Sequence, residues 1–368
     1  MRPFKELNRP LYGKYSTIRH HEGKQTEKHL AGAFYPLAGF GYGRSQAFRQ
    51  STPLGSVFKL ITGYSALKEI YPQKNPLTLI DSIHGNLMGY TLDGKPIHRM
   101  YKGGLLPRSH PNIGKIDLVG AIEQSSNLYF AILAGDHIGN PDSLIESAKS
   151  FGFGTKSAID LPGEFPGLLP KDLSYNKTGL YSFAIGQHSL VVTPLQTAVM
   201  LSTLANGGDV LKPQIALLFE GKDPHKKDLF PTEDFPFEKS IKSIGLDFSL
   251  FTEALKQEEK SHILYKPKEI KKTLFLPEEI RFTLFKGMQQ VLLGPKGTAR
   301  PSVIRQKNSH LLKTYMELQD RVIGKTGTAE ILYKHTVDKE TKAEIRNQVW
   351  FGCISFAKDD PHFEKPQL

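Results

Sequence analysis

Cysteine is almost missing from this chain: Cys353 is the only one in 368 residues. An intrachain disulfide and a cysteine-based metal site are both excluded. Long apolar runs are missing too. The longest, around Leu195–Leu204, is interrupted by polar residues, and none approaches the roughly 18 residues that cross a bilayer. The residues after Met1 are dominated by Arg, Pro, Lys, Glu and Asn, with no apolar core of the kind a secretory leader needs. Acidic residues are the scarcer charge. There are 37 Asp and Glu against 48 Lys and Arg, a formal net charge of +11. That balance suits an acidic partner without choosing one. Aromatics are not interleaved among the basic stretches as base stacking requires, so nucleic acid is the weakest choice. His20-His21, His84, His98 and His110 match no metal-ligand spacing. The glycines of 39–43 are not a dinucleotide fingerprint, because no strand leads in and no helix follows.

What is present is a globular composition, 39% hydrophobic and 23% charged, long enough for one large domain or two ordinary ones. Residues 1–50 are polar and turn-rich, and short strands are expected near Ala31–Ala38. One larger body follows at 51–368, with a Lys-rich insertion at about 215–275. Within it, Asp93-Gly94 marks a tight turn, and Asp117 is placed to cap a helix. Thr193-Pro194 starts a helix that stops at Gly207-Gly208. Leu276-Pro277-Glu278-Glu279 starts another, running to Leu293-Gly294. Arg321–Glu330 and Val349–Phe356 read as two strands of a hairpin.

Three clusters carry chemistry. The first is Gly55-Ser56-Val57-Phe58-Lys59, ahead of apolar residues at helical spacing, with Thr52 and Pro53 as start signals. Three residues apart, Ser56 and Lys59 share a face at the positive end of a helix, where an amine can act as base towards a hydroxyl. Alone, Ser-x-x-Lys is a common helical pair. The second cluster is Ser125-Ser126-Asn127, between two apolar helical segments. Ser125 and Asn127 do not share a face in mid-helix, so they converge on one cleft only from a turn. The third is Lys325-Thr326-Gly327-Thr328 on a strand. Gly327 lets a ligand backbone lie close, Lys325 brings a charge, and Thr326 and Thr328 put hydroxyls on one face.

In this order the clusters resemble the transpeptidase domain of class B, monofunctional penicillin-binding proteins. Ile159–Glu164, Ala184–Gln187, Val192–Gln196 and Gly297-Thr298-Ala299 are similar to that family as well, so the likeness runs from about Gly55 to Phe356. It implies an α/β (α+β) fold of the penicillin-binding-protein and serine β-lactamase type. An antiparallel sheet is flanked by helices, beside an all-helical subdomain. It implies Ser56 as nucleophile on a D-Ala-D-Ala stem peptide, Lys59 as its base, and Ser125 as proton relay. Asn127 orients Lys59 and the substrate amide. Lys325 keeps Lys59 neutral, and Lys325, Thr326 and Thr328 receive the terminal carboxylate. Backbone N–H groups of Ser56 and Thr328 form the oxyanion hole. No cofactor or metal is implied. The implied partners are peptidoglycan stem peptides, β-lactam antibiotics, a glycosyltransferase and other division or elongation proteins. The implied location is the extracytoplasmic face of the inner membrane. A D,D-carboxypeptidase, a serine β-lactamase and a non-catalytic scaffold stay open. Against the β-lactamases, no convincing candidate is found for the glutamate that class A enzymes carry in a Glu-x-x-x-Asn type segment, and Asn127 stands where class D enzymes carry valine. The family's sheet strands before the nucleophile and after Trp350–Phe356 are not apparent, so the chain reads as truncated at both ends.

Overall fold

The structure, a computed structural model, describes residues 15–20, 23–28, 47–49, 51–109, 113–161, 163–215, 218–221, 262–265, 268–300, 309–337, 340–357, 360 and 366–367. In chain order it begins with β1 (Tyr15–His20) and β2 (Gly23–Lys28). A 3₁₀ turn, Gly55–Phe58, runs into α1 (Lys59–Ile70). Then come β3 (Leu79–His84), β4 (Leu87–Thr91), β5 (Pro96–His98), β6 (Met100–Tyr101), β7 (Gly104–Leu105) and β8 (Gly114–Ile116). Helices follow: α2 (Leu118–Glu123), α3 (Asn127–Ile132), α4 (Pro141–Ser150), α5 (Lys177–Ala184) and α6 (Pro194–Ala205). After β9 (Asp209–Leu211), β10 (Leu218–Gly221), β11 (His262–Tyr265) and β12 (Ile270–Thr273) come α7 (Glu278–Leu293) and α8 (Ser309–Leu318). The chain closes with β13 (Val322–Val337), β14 (Glu340–Phe356) and β15 (Pro366–Gln367).

Two compact units divide these elements. One collects residues 1–50, 157–165 and 212–269. It holds the antiparallel pairs β1–β2 and β10–β11. There the carboxylate of Glu164 accepts from the N–H groups of Ser157 and Ala158, and Phe165 N–H donates to Phe48 O. The β1–β2 hairpin lies in the part of 1–55 expected to show no convincing strand. Its sequence, with Ile18 the one aliphatic residue in the two strands, shows no apolar alternation. The stretch 31–38 and most of the basic insertion fall outside the described residues.

The other unit, residues 51–156, 166–211 and 270–368, carries the three clusters. Its sheets are antiparallel: β5-β4-β3-β8, β13-β14-β15 and two short pairs. Helix α1 is the centre of the apolar core. Leu60, Ile61, Tyr64, Ala66 and Leu67 are all buried, among Leu118, Phe130, Phe151 and Leu284. Burying five such side chains stabilises on the order of 10 kcal/mol before entropy is counted. Most punctuation behaves as its chemistry dictates. Asp117 Oδ1 accepts from Gly120 N–H at 2.9 Å and caps α2. Gly94, at φ +75°, closes the turn between β4 and β5 by donating to Thr91 O. Thr193 and Gln196 form a reciprocal capping box at α6, with Pro194 in the first turn.

Three expectations are corrected. Thr52 caps no helix: its backbone exchanges 3.0 Å hydrogen bonds with Val192, making a bridge that precedes the turn. The two strands of the last hairpin are longer than their apolar stretches, pairing from Val322↔Ser355 to Val337↔Glu340, because backbone pairing continues through polar residues. A further strand does follow Phe356, since Pro366 and Gln367 pair with Phe356 and Ser355.

Thr193→Ala removes the acceptor for Gln196 N–H and should lower unfolding stability by about 1 kcal/mol. Urea denaturation measures this; an unchanged midpoint would show that the cap carries no weight here.

Candidate active site

The Ser56 turn is 3₁₀ where an α-helix was expected, and this helps the pairing. With three residues per turn, positions i and i+3 eclipse, so Ser56 and Lys59 line up along one edge. The backbone N–H of Lys59 donates to Ser56 O, closing that turn. Main-chain contacts hold it on both sides. Gly55, at φ +62°, donates its N–H to Gly186 O at 2.8 Å. A Cβ on Gly55 would lie 2.6 Å from Thr328 O, and one on Gly327 would lie 3.0 Å from Leu54 O. Gly55 combines a left-handed φ with no room for a side chain, and a side chain at Gly327 would press on Leu54 O. Gln187 Nε2 reaches Thr328 O at 3.4 Å, and Trp350 Nε1 donates to Pro53 O at 3.0 Å. The first cluster thus lies directly against the third.

Lys59 is fully buried, and its amine donates to Ser125 O at 2.6 Å, Ser125 Oγ at 3.1 Å and Asn127 Oδ1 at 2.7 Å. These bonds exist because the chain between α2 and α3 turns back on itself. Ser125 sits at φ +56°, a conformation side chains rarely adopt, and Ser126 caps α3 by accepting from Tyr129 N–H at 3.1 Å. Asn127 Nδ2 is fixed in turn by Arg108 O at 2.5 Å. The convergence of Ser125 and Asn127 from an inter-helix turn is as expected.

Lys325 is also fully buried, on the inward face of β13, and donates to Thr326 O at 3.0 Å. Thr326 and Thr328 take the opposite face. Thr326 Oγ1 shares a 2.6 Å hydrogen bond with Thr298 Oγ1, and Thr328 is exposed. Burial pushes the Lys325 amine down to about 7. Burial pushes Lys59 well below the ordinary lysine range, and the charge of Lys325 lowers it further, while Asp81 opposes both. Neutral amine is therefore accessible at Lys59 without strong alkali. Among the described residues, no three His, Cys, Asp or Glu side chains gather as metal ligands.

Reading the sequence assigned no role to Asp81, Gln187 or Thr298. Asp81 has a signal after the fact: it shares the inward period of β3 with Leu79 and Ile83, where a charge is out of place.

The family model for the penicillin binding protein transpeptidase domain matches residues 18–363. The chain belongs to this family. Penicillin-binding protein 2A of Bacillus subtilis is 36% identical over 134 residues, 33% of this chain and 18% of that protein. The peptidoglycan D,D-transpeptidase MrdA of Acinetobacter baumannii is 32% identical over 119 residues, 30% of this chain and 17% of that protein. Among solved structures, penicillin-binding protein 2B from Streptococcus pneumoniae strain R6 matches with TM-score 0.53 and 18% identity, over 96% of this chain and 46% of that one. The fold is thus that of a penicillin-binding protein. The aligned stretches cover only about a fifth of these curated relatives' length. No helix among the described residues is long and apolar enough to cross a membrane.

A buried lysine depressed to about 7 leaves the unfolded chain holding the extra proton between about pH 7 and its ordinary value of 10.5. Stability contributed through Lys325 is therefore lowest below pH 7 and rises with pH across that window. Urea unfolding at pH 7 and pH 9 should show a stability gain in the parent and a smaller gain in Lys325→Met. Equal gains would mean that Lys325 keeps its proton in the fold.

Proposed function

We propose that this domain is a serine D,D-transpeptidase that joins peptidoglycan stem peptides and is acylated by β-lactams. One observation carries the reading. A buried amine, one turn after Ser56, is held by Ser125 and Asn127 at 2.6–3.1 Å, with a second buried amine lowering its basicity. Ser56 Oγ attacks the carbonyl carbon of the D-Ala-D-Ala bond as its proton passes to neutral Lys59. The new C–O bond gives a tetrahedral oxyanion, received by the N–H groups of Ser56 and Thr328 beside the helix start. As the C–N bond breaks, the proton held by Lys59 moves to Ser125 while Ser125 gives its own to the departing D-alanine amine, so Lys59 is neutral again. Asn127 keeps Lys59 aligned and meets the substrate amide. Thr326 and Thr328 bind the terminal carboxylate, Lys325 adds its positive charge from the buried face of the same strand, and Gly327 leaves room for the peptide along the strand. The amine of a second stem peptide then attacks the acyl-enzyme and frees Ser56. A β-lactam enters by the same first step. In the whole protein, this chemistry belongs at the extracytoplasmic face of the inner membrane, alongside a glycosyltransferase and other division or elongation proteins.

A fluorescent penicillin should label the parent covalently, with the mass increment on Ser56, and leave Ser56→Ala unlabelled. Label on any other residue of a folded sample would end the reading. The same labelling rate should rise with pH as Lys59 loses its proton, then fall above about pH 7 as Lys325 loses the charge that receives the carboxylate. A flat profile would rule out the two lysines in these roles.

A further inference from the structure

Asp81 is the one carboxylate that acts on the buried amine, and no step above uses it. It sits on β3, the strand flanked by β4 and β8, and is fully buried. In the sheet register it lies opposite Gly89 on one side and Gly114 on the other, so neither neighbouring strand sets a side chain beside it. Its Oδ2 accepts from Ser126 Oγ at 2.6 Å and from Ser109 Oγ at 3.4 Å. Ser126 is the middle residue of the turn whose two ends, Ser125 and Asn127, hold Lys59.

We propose that Asp81 is a positioning residue and counter-charge for the acylation step: it grips the Ser125–Asn127 turn through Ser126 and offsets positive charge at Lys59. The inference rests on the transpeptidase reading above. Holding Ser126 requires only an acceptor, which a neutral side chain supplies. An ionised carboxylate at this depth is costly unless opposite charge offsets it. The Lys59 amine, held by the same turn, supplies that offset. The charged groups that act on Lys59 are Lys325 on β13 and Asp81 on β3, with opposite signs. Asp81 thus keeps Lys59 basic enough to take a proton, where burial and Lys325 alone would leave it a weak base.

The test is the pH dependence of single-turnover acylation by fluorescent penicillin in the parent, Asp81→Asn, Asp81→Glu and Ser126→Ala. Removing the negative charge lowers the proton affinity of Lys59, so the ascending limb of Asp81→Asn should move to lower pH by about one unit. Asp81→Glu keeps the charge, and its limb should stay with the parent. Ser126→Ala loses the grip but not the charge, so it should slow acylation several-fold without moving the limb. If Asp81→Asn does not fold, Asp81→Ser carries the same expectation. An unmoved limb in the neutral variant overturns the proposal, as does a limb in Asp81→Glu that moves equally. Failure of both neutral variants to fold also overturns it, since Asp81 would then be structural. A parent that takes no label on Ser56 defeats the functional reading beneath; a labelled parent with unmoved variants defeats this inference alone.

Discussion

Two lysine amines, Lys59 and Lys325, are enclosed in one interior, and most of the surrounding structure is arranged to tolerate them. Neither is screened by water. An ammonium at such depth costs several kcal/mol unless oxygens receive its protons. The Ser125–Asn127 turn provides three of those oxygens to Lys59, and the backbone of β13 provides one to Lys325. The same enclosure that makes the pair expensive is what lowers their basicity. Stability and reactivity are thus set by one feature, with opposite signs.

The chemistry in the sequence was readable because it depends on short, fixed spacings. Ser56 and Lys59 share an edge on any helix-like turn, and the Ser125-x-Asn127 pair cannot share one, which required a turn and found one. Thr193, Asp117 and Gly94 were equally plain, since caps and tight turns are local events. Other features were not legible. Whether the Ser56 segment is 3₁₀ or α depends on Gly55 being held by Gly186 and crowded by Thr328, contacts more than a hundred residues away. Thr52 has the side chain of a cap, yet its backbone was already committed to Val192. The β1–β2 hairpin has no apolar alternation in its sequence to announce it.

The resemblance to penicillin-binding proteins and the geometry support one another at different levels. Family membership accounts for the order of the clusters along the chain. The distances account for why that order matters, since helix start, inter-helix turn and strand meet only when the intervening segments fold. At 18% identity, the TM-score of 0.53 to a solved relative shows a shared fold and no more.

The contacts of Gly55, Gly186 and Gly327 run backbone to backbone across three separate elements. Main-chain atoms meet main-chain atoms there, so the floor of the junction is set when the protein folds. Such a rigid seat spends its ordering entropy in advance, and a ligand arriving there loses mainly its own freedom. The hydroxyls of Thr326 and Thr328 and the amide of Gln187 are the side-chain groups that border that fixed floor.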